Sequence, residues 1–217
     1  MTNHLELNCV RFLPWIGCNY HNSGLNGRRI LVLGESHYCG ECTRKECEND
    51  NKSECRDFTI RVVNDYLNRK TVGFNRWMNT FTKFERSLVG DWTDEDSRKS
   101  IWDSIAFYNY LQYALDDSRK TGDSDAYSKA IEPFYHVLDY LKPEFIIVWG
   151  KQLWNRMPGD ERWEKDDSIK MDDGYTVENG YYKLSNGDKA KVFPIYHPSV
   201  GYDWNYWHNV INKFIQR

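Results

Sequence analysis

Four short apolar runs, separated by amphipathic stretches, constrain the fold of this chain more than any other feature of its sequence. The runs lie at 29–34, 104–109, 144–149 and 191–196. Runs of this length and apolar content are typical of strands that are buried on both faces of a parallel sheet. Because proline cannot donate a ladder hydrogen bond, Pro194 predicts that the last run lies at an edge of the sheet.

Helical patterns lie between and after these runs, so the sequence predicts an α/β fold. Apolar residues recur at three- and four-residue spacing in 74–88, 131–141 and 204–215. Alternating strands and helices indicate a three-layer α/β/α arrangement around a central four-stranded, mainly parallel sheet. The length of 217 residues fits a single domain covering 1–217, with a Cys-rich insert at 39–55.

Charge and hydropathy exclude several classes of protein. The net charge of −3 does not fit a polybasic protein that coats nucleic acid, so any DNA contact would use a local patch. No stretch approaches the roughly 18 apolar residues that span a membrane, and 1–10 lacks the apolar run of a signal peptide. We therefore expect a cytoplasmic protein, and we expect it to be a monomer. The polar stretch at 158–191 is predicted to be a surface loop that leaves the compact domain.

The residues that follow the four predicted strands carry the chemically active side chains. In an open parallel sheet, the ligand lies at the carboxyl ends of the strands. The side chains at these ends include two imidazoles, two phenols, a carboxylate and amides that can read a base. In chain order they are Glu35, Ser36, His37, Tyr38, Asn109, Tyr110, Gln152 and His197.

Four segments at these strand ends resemble motifs of the uracil-DNA glycosylase superfamily. Segment 33–38 (L-G-E-S-H-Y) is similar to the first motif of the family, G-Q-D-P-Y, and 106–109 (A-F-Y-N) resembles the strand that ends in its base-reading Asn. Segment 145–150 (F-I-I-V-W-G) is similar to the strand that ends in L-W-G, and 196–199 (Y-H-P-S) resembles the H-P-S loop. The order and spacing of the four segments agree with a divergent member of this family.

The resemblance implies a DNA glycosylase, which flips a base out of DNA and hydrolyses its N-glycosidic bond. Asn109 would bind O4 and N3 of a pyrimidine, because an amide offers both a donor and an acceptor. Tyr38 would wall the C5 side of the base. His197 would be catalytic, donating to O2 as negative charge develops there. Pro198 and Ser199 would grip the DNA backbone.

The chain departs from the family pattern in the loop after the first strand. Ser36 stands where the best-known branch has an Asp that positions the attacking water, so Glu35 and Ser36 are the catalytic candidates there. His37 replaces a rigid Pro and is a candidate for base binding, and Phe58 is the candidate aromatic that stacks on the base. These changes predict a base other than plain uracil, such as a modified cytosine of phage DNA that is removed as a defence.

Four cysteines lie in the polar insert: Cys39, Cys42, Cys47 and Cys55. Four thiolates in one short segment suit a tetrahedral zinc site, which would brace the loop and take no part in catalysis. An iron–sulfur cluster is the alternative, since some branches of the superfamily carry one with a different Cys spacing. Free thiols are a third interpretation, because the last two gaps do not follow a standard metal-ligand spacing.

Two other functions fit parts of the sequence. One is an esterase with Ser36 as nucleophile, since the strand followed by Gly-Glu-Ser resembles the first block of small SGNH esterases. Those enzymes need Asp-x-x-His near the C-terminus, whereas Asp203 and His208 here are separated by four residues. The other is an inactive module that binds a modified base or a nucleotide, which the missing Asp favours.

Overall fold

A computed structural model of the chain describes residues 7–39, 47, 53–117, 120–199 and 201–216. These residues form a seven-stranded sheet and the helices that pack on it. The strands are β1 (Trp15–Ile16), β2 (Ile30–Gly34), β3 (Ala106–Asn109), β4 (Phe145–Trp149), β5 (Trp163–Lys170), β6 (Thr176–Lys183) and β7 (Lys189–Ile195).

The described helices connect and flank these strands. They are α1 (Ser53–Arg56), α2 (Phe58–Leu67), α3 (Arg69–Val72), α4 (Met78–Val89), α5 (Glu95–Ser104), α6 (Ser124–Lys129), α7 (Ile131–Leu141), α8 (Lys151–Trp154) and α9 (Trp204–Ile215). In the part of the chain that the structure describes, every helix is too short or too polar to cross a bilayer.

The sheet combines a parallel centre with antiparallel additions at both sides, in the order β1-β3-β2-β4-β7-β6-β5. β2 pairs in parallel with β3 and β4, and β4 pairs in parallel with β7. The pairings of β1 with β3, β6 with β7 and β5 with β6 are antiparallel. The prediction of a central four-stranded, mainly parallel sheet is therefore wrong, because the sheet is mixed and has seven strands. The four apolar runs account for β2, β3, β4 and β7 only.

The polar stretch at 158–191 extends the sheet, so the prediction that it is a surface loop is wrong. It contains the β5–β6 hairpin and the start of β7. In the first half of β6, Val177 and Asn179 are buried, whereas the alternate residues Thr176 and Glu178 are exposed. A strand with one solvated face carries many polar residues. The polar composition therefore concealed these strands.

Pro194 does not place β7 at an edge, because β4 and β6 flank this strand. The antiparallel pairing with β6 ends at Val192, two residues before Pro194. On the other side, Pro194 lies in parallel register with Val148. The absence of an N–H group at Pro194 is tolerated because the ladder to β6 has already ended.

The central strands are buried on both faces, because alternate side chains enter two separate hydrophobic clusters. In β2, Leu31 and Leu33 belong to one cluster, whereas Ile30 and Val32 belong to the other. Helices α6, α7 and α8 cover the first face, and α4, α5 and α9 cover the second. α2 contacts both clusters. The parallel strands thus lie between two helical layers.

A buried ion pair fixes the arrangement of three helices on the second face. Glu85 of α4 and Arg98 of α5 lie 3.2 Å apart and are almost fully buried. Tyr66 of α2 and Trp102 of α5 donate to the Glu85 carboxylate at 2.6 and 3.1 Å. Because a buried charge is costly unless it is paired and hydrogen-bonded, this network favours one arrangement of α2, α4 and α5.

Candidate ligand site at the ends of the parallel strands

The loop that follows β2 is held against the segment that follows β3. The two segments continue the parallel pairing of their strands, up to a bridge between Tyr38 and Leu115. Four backbone N–H groups donate at 2.8–2.9 Å: Tyr110 to Gly34, Leu111 to Glu35, Leu115 to His37 and Cys39 to Leu115. The backbone therefore fixes the positions of the loop side chains.

Asn109, the last residue of β3, forms a buried polar pair with His37. Asn109 is 6% exposed and His37 is 3% exposed. The amide nitrogen of Asn109 lies 3.1 Å from Nδ1 and 3.2 Å from Nε2 of His37, and Nε2 also lies 2.8 Å from Thr59 Oγ1. Because the amide nitrogen is about equally distant from the two ring nitrogens, it contacts the ring as a whole, whereas Nε2 pairs with the Thr59 hydroxyl. The contact with His37 orients the Asn109 amide.

His37 is neutral because it is buried. Burial, with a smaller contribution from the Arg61 guanidinium, lowers the pKa of His37 to about 3. The imidazole stacks on Phe58, with ring centroids 4.5 Å apart and 9° between the planes. One face of Phe58 is therefore covered by His37. Contact of either ring with a base stays a prediction.

Gly34, the last residue of β2, leaves the space that the Asn109 amide occupies. A Cβ atom at this position would lie 2.2 Å from Asn109 Oδ1 and 3.2 Å from Phe107 Cζ. The first distance is far inside van der Waals contact. A glycine at the end of β2 is therefore required for the observed position of Asn109.

Glu35 extends from the loop after β2 toward the residues that follow β3 and β4. Tyr127 of α6 and Thr121 each donate to Oε1 of Glu35 at 2.5 Å, and Gln152 of α8 donates to the same atom at 3.4 Å. Among the described residues, none bonds to Oε2. Burial, followed by the bond to Glu35, raises the pKa of Tyr127 to about 12, so this phenol remains a donor. Sequence reasoning missed Thr121 and Tyr127, because neither belongs to a motif.

His197 follows β7 and packs beside Gly150, the residue after β4. Gly150 has φ +94°, and a Cβ atom there would lie 3.5 Å from the Cβ of His197. The Trp149 indole lies edge-on to the imidazole, with centroids 6.1 Å apart. His197 is exposed as a residue, but the protein atoms around its ring lower its pKa by desolvation, and the Glu35 carboxylate opposes this shift. The site therefore holds a neutral imidazole within electrostatic range of Glu35.

The order of the strands sets the separation between Asn109 and His197. These residues follow β3 and β7, and β2 and β4 lie between those strands. Three strand spacings of about 4.8 Å place the two backbones about 14 Å apart. Glu35 projects from the loop after β2, between Asn109 and His197.

The other predicted site residues differ in exposure. The Ser36 hydroxyl is buried and has no hydrogen-bond partner among the described residues; the Tyr38 hydroxyl lies near it without hydrogen-bond geometry. Tyr38 is 47% exposed and lies at the rim. Pro198 is buried and Ser199 is exposed. Lys83 of α4, which the sequence did not single out, donates to the Ser199 carbonyl and brings an ammonium group to this loop.

The structure does not join Ser36 to the partners that an esterase would need. Asp203 caps α9 by accepting hydrogen bonds from backbone N–H groups. The His208 imidazole lies 3.1 Å from the Ser87 carbonyl and 2.7 Å from the Asn212 amide. Asp203 is thus engaged at the start of α9 and His208 at the contact between α9 and α4, and neither is hydrogen-bonded to Ser36.

The four cysteines predicted to bind zinc or an iron–sulfur cluster are only partly described, since Cys42 lies outside the described residues. Cys47 is buried, and its Sγ accepts from the Ala114 N–H at 3.3 Å. Cys39 and Cys55 are partly buried and pack against the same hydrophobic cluster. In the described part of the chain, the three sulfur atoms do not form a group within 4.8 Å of one another. Metal binding by this segment stays a prediction.

Comparison of the sequence with known proteins finds no family model and no curated protein that matches this chain. The resemblance to glycosylase motifs therefore rests on the four segments at the strand ends. The chemistry of the site rests on its own geometry.

Replacement of Gly34 tests the position of the Asn109 amide. Gly34→Ala should lower the free energy of unfolding by about 1–3 kcal/mol, because the added methyl group must displace the amide from His37. Gly159→Ala is the matched control, since a Cβ atom there meets nothing within 4 Å; a change within about 0.5 kcal/mol is expected. Urea unfolding measures the free energy of unfolding of both variants. Equal values for Gly34→Ala and Gly159→Ala would contradict the close contact between Gly34 and the Asn109 amide.

Proposed function

We propose that this chain is a DNA glycosylase that hydrolyses the N-glycosidic bond of a pyrimidine flipped out of DNA. One observation carries the proposal: an amide, a carboxylate and an imidazole stand at the ends of three parallel strands, at one edge of the sheet. Asn109, Glu35 and His197 supply these groups. Base excision needs recognition of the base, a stabilised leaving group and a positioned water.

Asn109 is the group that would read the base. The N–H and Oδ1 of its amide are a donor–acceptor pair, which would complement the O4 and N3–H edge of a uracil-like pyrimidine. The contact with His37 orients the amide before the base arrives. Pre-orientation lowers the entropy lost on binding, since the side chain has little freedom left to lose.

His197 is the group that would stabilise the leaving base. When the C1′–N bond breaks, the bonding electron pair stays with the base and negative charge develops on O2. A neutral imidazole N–H can donate to this oxygen, and the lowered pKa of His197 favours the neutral form. A preorganised donor of this kind contributes roughly 10²–10³-fold to the rate.

Glu35 is the group that would position the water. Its Oε1 is held by Tyr127 and Thr121, which leaves Oε2 to accept a proton from water as the water oxygen bonds to C1′. The released base anion then takes up this proton. Ser36 is the weaker candidate, because its uncharged hydroxyl cannot offset the positive charge that grows on the sugar.

The preferred base is proposed to be a modified pyrimidine. Tyr38 is 47% exposed at the rim, so it does not enclose the C5 side of the base tightly. Groups attached to C5, as in the modified cytosines of phage DNA, would extend past this ring. A role in defence against such DNA follows if the preference for them is strong.

DNA would be held by a local surface, because the net charge of the chain is −3. Lys83 lies against the loop of Pro198 and Ser199, where its ammonium group can approach a phosphate. Tyr196 is 49% exposed beside His197 and offers a face to a neighbouring base. We propose that the chain acts on DNA as a monomer in the cytoplasm.

The function is tested by incubating the protein with matched DNA duplexes that contain uracil, 5-hydroxymethylcytosine or glucosylated cytosine, and measuring release of the base. We expect release from at least one duplex, and faster release of a modified cytosine than of uracil. Rapid and exclusive release of uracil would contradict the proposed preference. Binding to a duplex without release of any base would indicate an inactive module that binds a base. Ester cleavage in a parallel assay would indicate a hydrolase that uses Ser36.

A variant of His197 tests its catalytic role. His197→Ala should lower the single-turnover rate of excision by at least about 10²-fold while the affinity for DNA persists, because the lost bond forms mainly in the transition state. His21→Ala is the control, since it removes an exposed imidazole outside the strand ends. If both variants excise the base at the wild-type rate, His197 has only a structural role.

A further inference from the structure

Cys9, Glu132 and His136 bring three potential metal ligands together on the surface, apart from the four cysteines of the insert. The thiol sulfur, one carboxylate oxygen and one imidazole nitrogen all lie within 4.8 Å of one another. In the described part of the chain, this is the one such group of histidine, cysteine and acidic side chains. All three residues are exposed, so a metal ion can reach them from solution.

Cys9 lies in a turn whose position is fixed. Leu7 is 4% exposed and Val10 is fully buried in the hydrophobic cluster under α7. The Val10 N–H donates to the Leu7 carbonyl at 3.0 Å. The Arg56 guanidinium donates to the carbonyls of Leu7 and Val10 at 3.1 and 3.3 Å. The backbone around Cys9 is therefore anchored, and its exposed side chain is presented to α7.

Glu132 and His136 stand one turn apart on the outer face of α7. Their side chains lie 3.9 Å apart, from Oε1 to Nε2. The opposite face of the helix is buried, through Phe134, Val137 and Leu138. Glu132 and His136 thus offer two ligands from one helix face, and Cys9 offers a third from another element. The backbone already holds these three residues in an arrangement that can chelate a metal ion.

We propose that Cys9, Glu132 and His136 form a zinc site with three protein ligands and one position open to water. Zinc bonds of about 2.0–2.3 Å in tetrahedral geometry place ligand atoms about 3.3–3.5 Å apart. Binding of the ion requires side-chain rotations that bring the ligand atoms, now within 4.8 Å of one another, to this distance. A thiolate with an imidazole favours zinc over magnesium or calcium. The thiolate and carboxylate together balance the charge of the ion.

The consequence of binding is a cross-link between the turn at 7–10 and α7. These two elements are joined by hydrophobic packing, and a shared metal ion would add a bond between their exposed sides. Because the three-ligand site has a single thiolate, it is spectroscopically distinct from the four-thiolate site predicted for the insert. The two metal sites can therefore be separated in one protein.

Cobalt titration of the chelator-treated, full-length chain tests this proposal. Co²⁺ replaces zinc and reports each cobalt–thiolate bond through a charge-transfer absorption band. Wild-type protein should show a tetrahedral site with one thiolate. Cys9→Ser and His136→Ala, on separate elements, should each weaken this site by at least about 10²-fold, since even changes outside the ligand set cost 10–100-fold. Zinc competition with a chromophoric chelator should give the same ranking.

Cys18→Ser is the matched control, because Cys18 is an exposed free thiol outside the cluster. Its spectrum and zinc affinity should equal those of the wild type. Equal binding by wild type, Cys9→Ser and His136→Ala would overturn the proposal. Loss in Cys9→Ser without loss in His136→Ala would also overturn it, since the thiol would then bind without the helix. Thermal melts in chelator check folding, and if one variant does not fold, the variant on the other element decides the outcome.

Discussion

The parallel pairing of β3, β2, β4 and β7 is the constraint on which the candidate site depends. Since these strands run in one direction, their carboxyl ends and the loops that follow them meet at one edge of the sheet. Glu35 and His197, far apart in the chain, thereby come within electrostatic range of each other. Backbone hydrogen bonds extend the pairing of β2 and β3 into their loops. The side chains of the site are therefore positioned by the sheet, which is more rigid than a free loop.

Two glycines and one buried histidine shape this edge of the sheet. Gly34 makes room for the Asn109 amide, and Gly150 adopts a left-handed backbone conformation beside His197. His37 loses its hydration on burial, and its bonds to Asn109 and Thr59 offset this cost while the ring stays neutral. An uncharged support orients the amide without adding a charge to the site. These features favour one position for the side chains of Asn109 and His197, although each feature is a local departure from an ordinary strand end.

The sequence could predict the central strands and the residues at their ends, because strands buried on both faces are continuously apolar. It could not predict the β5–β6 hairpin, in which residues such as Val177 alternate with exposed polar residues. Nor could it predict that Thr121 and Tyr127 hold Glu35, since these contacts join distant segments and leave no local pattern. The burial of His37 was equally hidden, because its environment comes from Phe58 and Thr59 on another element.

We propose that the strand-end side chains stabilise the charge that develops as a glycosidic bond breaks. This role can be measured as the affinity for DNA duplexes that carry a cationic pyrrolidine in place of one sugar, compared with duplexes that carry an uncharged tetrahydrofuran there. The first resembles the positively charged sugar of the transition state, so binding should be at least about 10²-fold tighter. Glu35→Gln should abolish most of this preference. Equal affinity of the wild-type chain for the two duplexes would show that these side chains do not stabilise a positively charged sugar.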